Sequence, residues 1–401
     1  MKQQFTVNSM LRGLHGKLGE DDFIEPLEIL THSLNKHNKF NQFGKIAFNH
    51  QLKNRLKVRR DLYKLHLENK FEEPADPVFV IGLPRSGTSI LFNLLSLDDA
   101  HRSPRYWEIM HPFPITKNTK ERLKREKKTN RELKLAKTLI PKLRAMHTIR
   151  AETPEECEQI ATINVRSFVY MCMADVPEYI AYLKNCPFDT VFKWHKRFFQ
   201  ALEINGKPKR WLLKDPSHIG HLPEILQAYP SAKFIHIHRD PTESVASFCS
   251  LTKNVRLAFS KKVNTDDIGN TVIDFWNHNL RKGMDYRKNL LNDQIVDVNY
   301  EDFISSPLNQ IKSIYMQLGF DMTIETENNI ENYLYEDQKK TKSSHHYSLA
   351  EFGLNEKNVI VSLACLLYTS DAADEGLAVD LGGRRIIKKK KKKKGGEEGG
   401  A

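Results

Sequence analysis

The chain lacks the features that mark membrane-spanning, secreted and metal-scaffold proteins. None of its 401 residues lies in an apolar run approaching the roughly eighteen that a spanning helix needs; the longest such runs are 78–83 and 359–367. The first twenty residues carry no apolar core of a secretory signal. Its five cysteines, Cys157, Cys172, Cys186, Cys249 and Cys365, are odd in number and contain no C-x-x-C pair. That count argues against a disulfide framework and against a zinc site. Free thiols in a reducing compartment are expected, hence a cytoplasmic location. No internal repeat is visible. The strongly basic stretch 117–150 has no aromatic residues interleaved with its charges, so a solvated helical face is expected there rather than a nucleic-acid surface.

What is present fits a globular protein of one large or two medium domains. Hydrophobic residues make up 40% of the chain and aromatics 9%, and 62 Lys and Arg face 50 Asp and Glu for a formal charge of +12. Residues 361–401 distort that balance. They include seven consecutive lysines, Lys388 to Lys394, and end in GGEEGGA. A lysine homopolymer buries nothing, and the stretch reads as translated adapter and poly-A, so a disordered or artefactual tail is expected, with the authentic C-terminus missing. The other reading is a basic tail that binds membrane or nucleic acid.

Residues 1–73 read as a helical cap, with Leu52, Leu56, Leu62 and Leu65 at three-to-four spacing. Residues 74–360 read as the main domain, with 117–150 as a helical insertion. After Pro74 and Pro77 comes a continuous apolar run, 78–81, the pattern of a strand buried on both faces of a parallel sheet. Further strands are predicted at 211–213, 233–237 and 294–298, with helical patterns between them. The alternation predicts an α/β, doubly wound, three-layer sandwich with a mostly parallel sheet. Ligands of such sheets bind beyond the carboxyl ends of the strands.

The informative segment is Gly82-Leu83-Pro84-Arg85-Ser86-Gly87-Thr88-Ser89, between the first strand and its helix. Gly82 and Gly87 have the spacing of a phosphate-binding loop, whose backbone N–H groups and helix N-terminus cradle an anion. A nucleoside triphosphatase places Lys at the position of Thr88; here the cation is Arg85, inside the loop. That displacement suits an anion with one 5′ phosphate and a group to be transferred from it.

PRSGTS after VFVIGL resembles the 5′-phosphosulfate loop of the sulfotransferase superfamily, whose donor is 3′-phosphoadenosine 5′-phosphosulfate (PAPS). Arg239 at a strand end, with Ser247 in the next helix, resembles that superfamily's 3′-phosphate motif. The resemblance spans roughly residues 75–355, including AETPEEC, LLKDPSH and HHYSLAEFGL. It implies a P-loop-like fold, a soluble PAPS-dependent sulfotransferase, and donor contacts at Pro84, Arg85, Ser86, Gly87, Thr88, Ser89, Arg239, Ser247 and Tyr300. Tyr300 also reads as a capping residue.

Sulfuryl transfer is a loose in-line displacement, so positioning and charge stabilisation dominate. Arg85 and Lys214 are the expected cations, and no metal is expected. Two residues compete as general base. Glu108 lies near where one branch of the family carries a catalytic Glu, and is preferred. His218, four residues after Lys214, resembles the Lys/His arrangement of cytosolic small-molecule sulfotransferases and is the natural base near neutral pH. Glu152, Glu155 and Glu156 are a third carboxylate source, although acids opening a helix are commonplace. His236 and His238 read as packing residues. The acceptor class stays open among small molecules, sugars, lipids and peptides, and no nucleic acid is expected. Two alternatives remain: a P-loop nucleotide kinase, with Asp215 or Asp240 holding magnesium, and a non-enzymatic nucleotide- or RNA-binding protein.

Overall fold

The apolar run after Pro77 forms the middle strand of a sheet, because its side chains have a hydrophobic layer on each side to enter. In the computed structural model, which describes residues 5–139, 149–291, 293–338 and 347–364, the sheet has five strands. They are β1 (Pro77–Ile81), β2 (His101–Arg102), β3 (Arg210–Lys214), β4 (Lys233–His238) and β5 (Ile295–Asn299). Their order is β2-β3-β1-β4-β5, and every pairing is parallel. The four strands legible in the sequence are all present. β2 is the addition: two residues are too few for a periodic signal, and it exists because His101 and Arg102 pair with Arg210 and Trp211.

The pleat divides the side chains between two cores. Phe79 and Ile81 of β1, Trp211 and Leu213 of β3 and Phe234 of β4 enter one; Val78, Val80, Leu212, Ile235 and Ile237 enter the other. The second core is closed by the helices Thr88–Leu95 and Pro307–Leu318, through Leu91, Phe92, Ile311 and Ile314. The first is closed by a thicker helical layer that includes Gln42–Glu68, Asp189–Glu203, Pro241–Phe259 and Thr265–Arg287. The fold is therefore the α/β three-layer sandwich expected, P-loop-like in its central strand and loop.

The N-terminal helices share a core with the sheet. Leu52, Leu56 and Leu62 are buried in the same hydrophobic cluster as Phe79 and Ile81. Two arginines of Gln42–Glu68 are buried among them. Arg55 donates to the carbonyls of Ile109 (3.0 Å) and Met110 (2.6 Å). Arg59 donates to the carbonyls of Leu18 (2.8 Å) and Glu20 (2.7 Å), pairs with Asp22, and lies 3.9 Å from the centre of the Trp194 ring. Such bonds offset the cost of burying a guanidinium, although Arg55 Nε is itself buried with no partner.

The basic insertion is helical over Thr119–Leu139, with Arg125 and Thr129 buried on one face; residues 140–148 lie outside the described residues. At the other end, the helix Glu356–Ser362 is followed by Leu363, buried in the first core, so packed structure runs slightly past residue 360. The expected tail from 365 onward lies outside the described residues. No helix among the described residues is long and apolar enough to cross a membrane.

Glu20 clamps the N-terminal segment to the helix Asp189–Glu203. It accepts hydrogen bonds from Lys193 at 2.7 Å and from Arg197 at 3.0 Å through each terminal nitrogen. Burial raises the carboxyl's pKa, but the hydrogen bonds from Arg197 and Lys193 outweigh it and bring the group from 4.5 down to about 2. A carboxyl held low contributes stability above its unfolded pKa and loses it as pH falls through the folded value. Glu20→Gln is therefore expected to melt below the parent at neutral pH. The gap should begin to shrink below pH 4.5 and close near pH 2, as read by scanning calorimetry.

Candidate active site

The loop after β1 is shaped by three residues in left-handed or otherwise positive-φ conformations: Gly82 (φ 147°), Arg85 (φ 69°) and Gly87 (φ 97°). The glycines are needed. A Cβ at Gly82 would lie 2.6 Å from the Ile237 carbonyl oxygen, and one at Gly87 would lie 2.6 Å from the Tyr300 ring. Arg85 is one of two non-glycine residues with positive φ among those described. Such a conformation carries strain on the order of 1–3 kcal/mol and persists only where its surroundings hold it. The helix Thr88–Leu95 starts directly after Gly87 with no side-chain cap, so its first N–H groups face the loop. Ser86 Oγ is buried with no hydrogen-bond partner, and Pro84 and Thr88 are buried beside it. An orphaned buried hydroxyl in a loop of this shape fits an oxyanion acceptor.

The two separated motifs meet. Arg85 Nε donates to Ser247 Oγ at 3.2 Å, and Arg239 Nη1 donates to the Arg85 carbonyl at 3.1 Å. The Arg239 guanidinium also pairs with Glu243 and lies 4.2 Å from the centre of the Tyr300 ring, the ring that packs on Gly87. A cavity of about 760 Å³ opens here, lined by Arg85, Arg239, Thr242 and Ser247 on one side and by Leu349 and Asn355 on the other.

Lys214, at the carboxyl end of β3, is buried. Its Nζ donates to Ser89 Oγ at 2.8 Å and pairs with Glu156, and the Phe92 ring centre lies 5.4 Å away. The second cation is thereby tied to the phosphate-loop helix. Around it sits a group of carboxyls. Burial, then the neighbouring Glu156 carboxylate, pushes both Glu155 and Asp215 up to about 7. Glu158 is held well above the usual carboxylate range, by burial and then by Asp215.

Residues 77–324 match the profile of the sulfotransferase family. The chain belongs to the sulfotransferase family. Over 254 residues it is 26% identical to the omega-hydroxy-beta-dihydromenaquinone-9 sulfotransferase Stf3 of Mycobacterium bovis, a match covering 61% of this chain and 62% of that protein. The chain thus spans less than two thirds of the length of the curated relatives it matches. Among solved structures it is similar to sulfotransferase STF1 from Mycobacterium tuberculosis H37Rv, with TM-score 0.73 and 26% identity over 91% of this chain and 100% of that one. Sulfotransferase STF9 from Mycobacterium avium shares the fold, with TM-score 0.74 and 23% identity over 88% of this chain and 92% of that one.

In this sulfotransferase family member the described contacts of the two expected bases are with groups other than Arg85 and Lys214. Glu108 accepts from Arg102 Nη2 at 2.9 Å with one oxygen and from the Arg105 backbone N–H at 2.9 Å with the other. It caps the helix Tyr106–Met110, and among the described contacts none joins it to Arg85 or Lys214. His218 lies beneath the sheet with its ring edge-on to Phe79, centroids 5.0 Å apart. Burial, reinforced by His195 and His221, holds it well below the usual histidine value. The magnesium-holding acids that a kinase would need are engaged locally: Asp215 accepts from the Ser217 N–H (2.7 Å), and Asp240 from the Thr242 N–H (2.8 Å). The His236 and His238 rings lie with centroids 3.9 Å apart and planes tilted by 41°, beside Asp297.

From the sequence, Glu156 was expected to open a helix. That helix begins only at Glu158; Glu156 sits on the extended approach to it, against Lys214. The cavity wall at 347–356 carried no signal of its own beyond the resemblance. Glu108→Ala removes both a cap and an ion pair, and is expected to destabilise the protein by about 1–3 kcal/mol in urea denaturation.

Proposed function

We propose that this sulfotransferase family member transfers a sulfuryl group from PAPS to a hydroxyl or amine acceptor. The observation that carries the reading is the convergence of Arg85, Ser247 and Arg239 on one cavity. The loop N–H groups and Ser86 receive the 5′-phosphosulfate. Ser247 and Arg239 receive the 3′ phosphate, Arg239 exchanging its Glu243 partner for it. Tyr300 holds the Arg239 guanidinium from below.

In the transfer, the acceptor oxygen or nitrogen forms a bond to sulfur as the bond to the 5′-phosphate oxygen breaks. Arg85 and Lys214 neutralise the charge that develops on the leaving phosphate, contacts worth about 3–4 kcal/mol each in a dry site. The acceptor must lose a proton. We assign that proton to Glu156 rather than to Glu108 or His218, because Glu156 is the carboxylate placed against Lys214. Its pairing with Lys214 also orients the ammonium toward Ser89 and the loop.

The acceptor class is a small molecule or lipid bearing that hydroxyl or amine. The named acceptor of the Mycobacterium bovis relative, a hydroxylated dihydromenaquinone, supports the lipid end of that range. The four described cysteines are unpaired, which supports a reducing compartment, and we place the protein in the cytoplasm.

Arg85→Ala and Lys214→Ala are expected to lower kcat by about 10²–10³-fold. Arg239→Ala should chiefly weaken binding of adenosine 3′,5′-bisphosphate, measured by isothermal titration, with a smaller effect on kcat. Equal small losses in all three would reject these roles. For the base, Glu156→Gln should cut kcat by about 10²–10⁴-fold. A larger loss in Glu108→Gln or His218→Gln, measured with labelled-sulfate transfer into a mixed metabolite and lipid extract, would return the role to that residue.

A further inference from the structure

Beneath β3, three chain segments far apart in sequence bring together a thiol and two imidazoles. Cys157 lies just before the helix Glu158–Ala161, His195 on the helix Asp189–Glu203, and His218 on the short 3₁₀ turn Pro216–His221. One donor atom from each lies within 4.8 Å of the other two, and all three residues are buried. The two rings carry unmet hydrogen-bonding capacity. His195 Nδ1 is 2.8 Å from the Tyr229 hydroxyl, which fixes that ring, and His195 Nε2 is buried with no partner. His218 Nδ1 is likewise buried with no partner. Buried imidazole nitrogens are normally satisfied, so two orphans beside a buried thiol call for an occupant.

We propose that Cys157, His195 and His218 form a zinc site. One sulfur and two imidazole nitrogens are a donor set that suits Zn²⁺, with bond lengths of about 2.3 Å to sulfur and 2.0–2.1 Å to nitrogen; the fourth position falls to a water. Closing the three donors onto one ion brings separations of up to 4.8 Å to about 3.3–3.6 Å, as the tetrahedral angle and these bond lengths require. The Tyr229 hydroxyl occupies the usual place of an outer-shell group, bonded to the ring nitrogen that does not face the metal. Binding exchanges the Cys157 thiol proton for the cation and releases that proton to solvent.

The site has a structural consequence for the catalytic strand. The Cys157 N–H donates to the Lys214 carbonyl at 2.9 Å, and His218 lies on the 3₁₀ turn that follows β3. Zinc would therefore pin the end of β3 that carries Lys214 to the helix Asp189–Glu203. This inference stands independently of the donor and acceptor proposed above.

The test uses the untagged full chain, stripped with a chelator, gel-filtered and titrated with Zn²⁺ or with Co²⁺ as a spectroscopic probe. The parent should retain about one zinc per chain, and melt several degrees higher with it. Its Co²⁺ form should show a thiolate charge-transfer band. Cys157→Ser should lose that band and the zinc-dependent shift, and Tyr229→Phe should bind zinc about 10–100-fold more weakly. Cys249→Ser, a buried thiol elsewhere, should bind as the parent does. The proposal is overturned by a parent that retains no zinc, by Co²⁺ binding without a thiolate band, or by Cys157→Ser with the parent's affinity. If Cys157→Ser does not fold, the parent's Co²⁺ spectrum decides alone.

Discussion

The contact between Arg85 and Ser247 ties the first strand's loop to a helix more than 160 residues away, and the architecture of the site follows from it. Arg85 sits in a left-handed conformation that an arginine adopts only under restraint. The restraint comes from two directions: Ser247 holds the side chain, and Arg239 holds the backbone carbonyl. Neither could reach the loop unless β1 and β4 were parallel neighbours, because only that pairing brings both carboxyl ends, and the turns after them, to one edge of the sheet. Tyr300, after β5, completes the group by the same rule. The sheet order is what makes the loop tenable.

A second constraint is electrostatic. Lys214 is buried, and an unpaired ammonium there would be expensive. Glu156 and Ser89 satisfy it, and in doing so they join the end of β3 to the helix that follows the phosphate loop. The same burial that makes Lys214 depend on Glu156 also lifts Glu155, Asp215 and Glu158, which crowd one another in a poorly solvated space. The site thus combines Arg85 and Lys214 around the glycine loop with a set of carboxyls whose charge is suppressed by their surroundings.

The helical layer on the first face serves as more than a cover. Arg55 and Arg59 reach through it to backbone carbonyls of Ile109, Met110, Leu18 and Glu20, binding segments that approach the sheet from both chain directions. Because these guanidinium groups are buried and bonded to carbonyls of other segments, the N-terminal helices share the main core and cannot be detached without exposing it. The thiol and imidazole cluster lies in this layer too, directly behind the strand end that presents Lys214.

Much of the fold was legible beforehand. A strand buried on both faces announces itself as an uninterrupted apolar run, as β1 does, and a glycine pair bracketing an arginine before a helix announces an anion loop. Those are local signals, set by side-chain period and backbone sterics. β2 was invisible because two residues carry no period. Glu108 was legible as a candidate by its position, but its partners Arg102 and the Arg105 N–H were not, because no spacing reveals which way a side chain turns. Glu156 was discounted because acids near helix starts are common, and only its approach to Lys214 sets it apart. The sequence by itself determined the layers, the glycine loop and the two motifs after β1 and β4, since each depends on neighbours a few residues away. Tertiary structure alone decided which charges touch and which cysteine and histidines converge, because those contacts join segments whose separation along the chain says nothing about their distance in space.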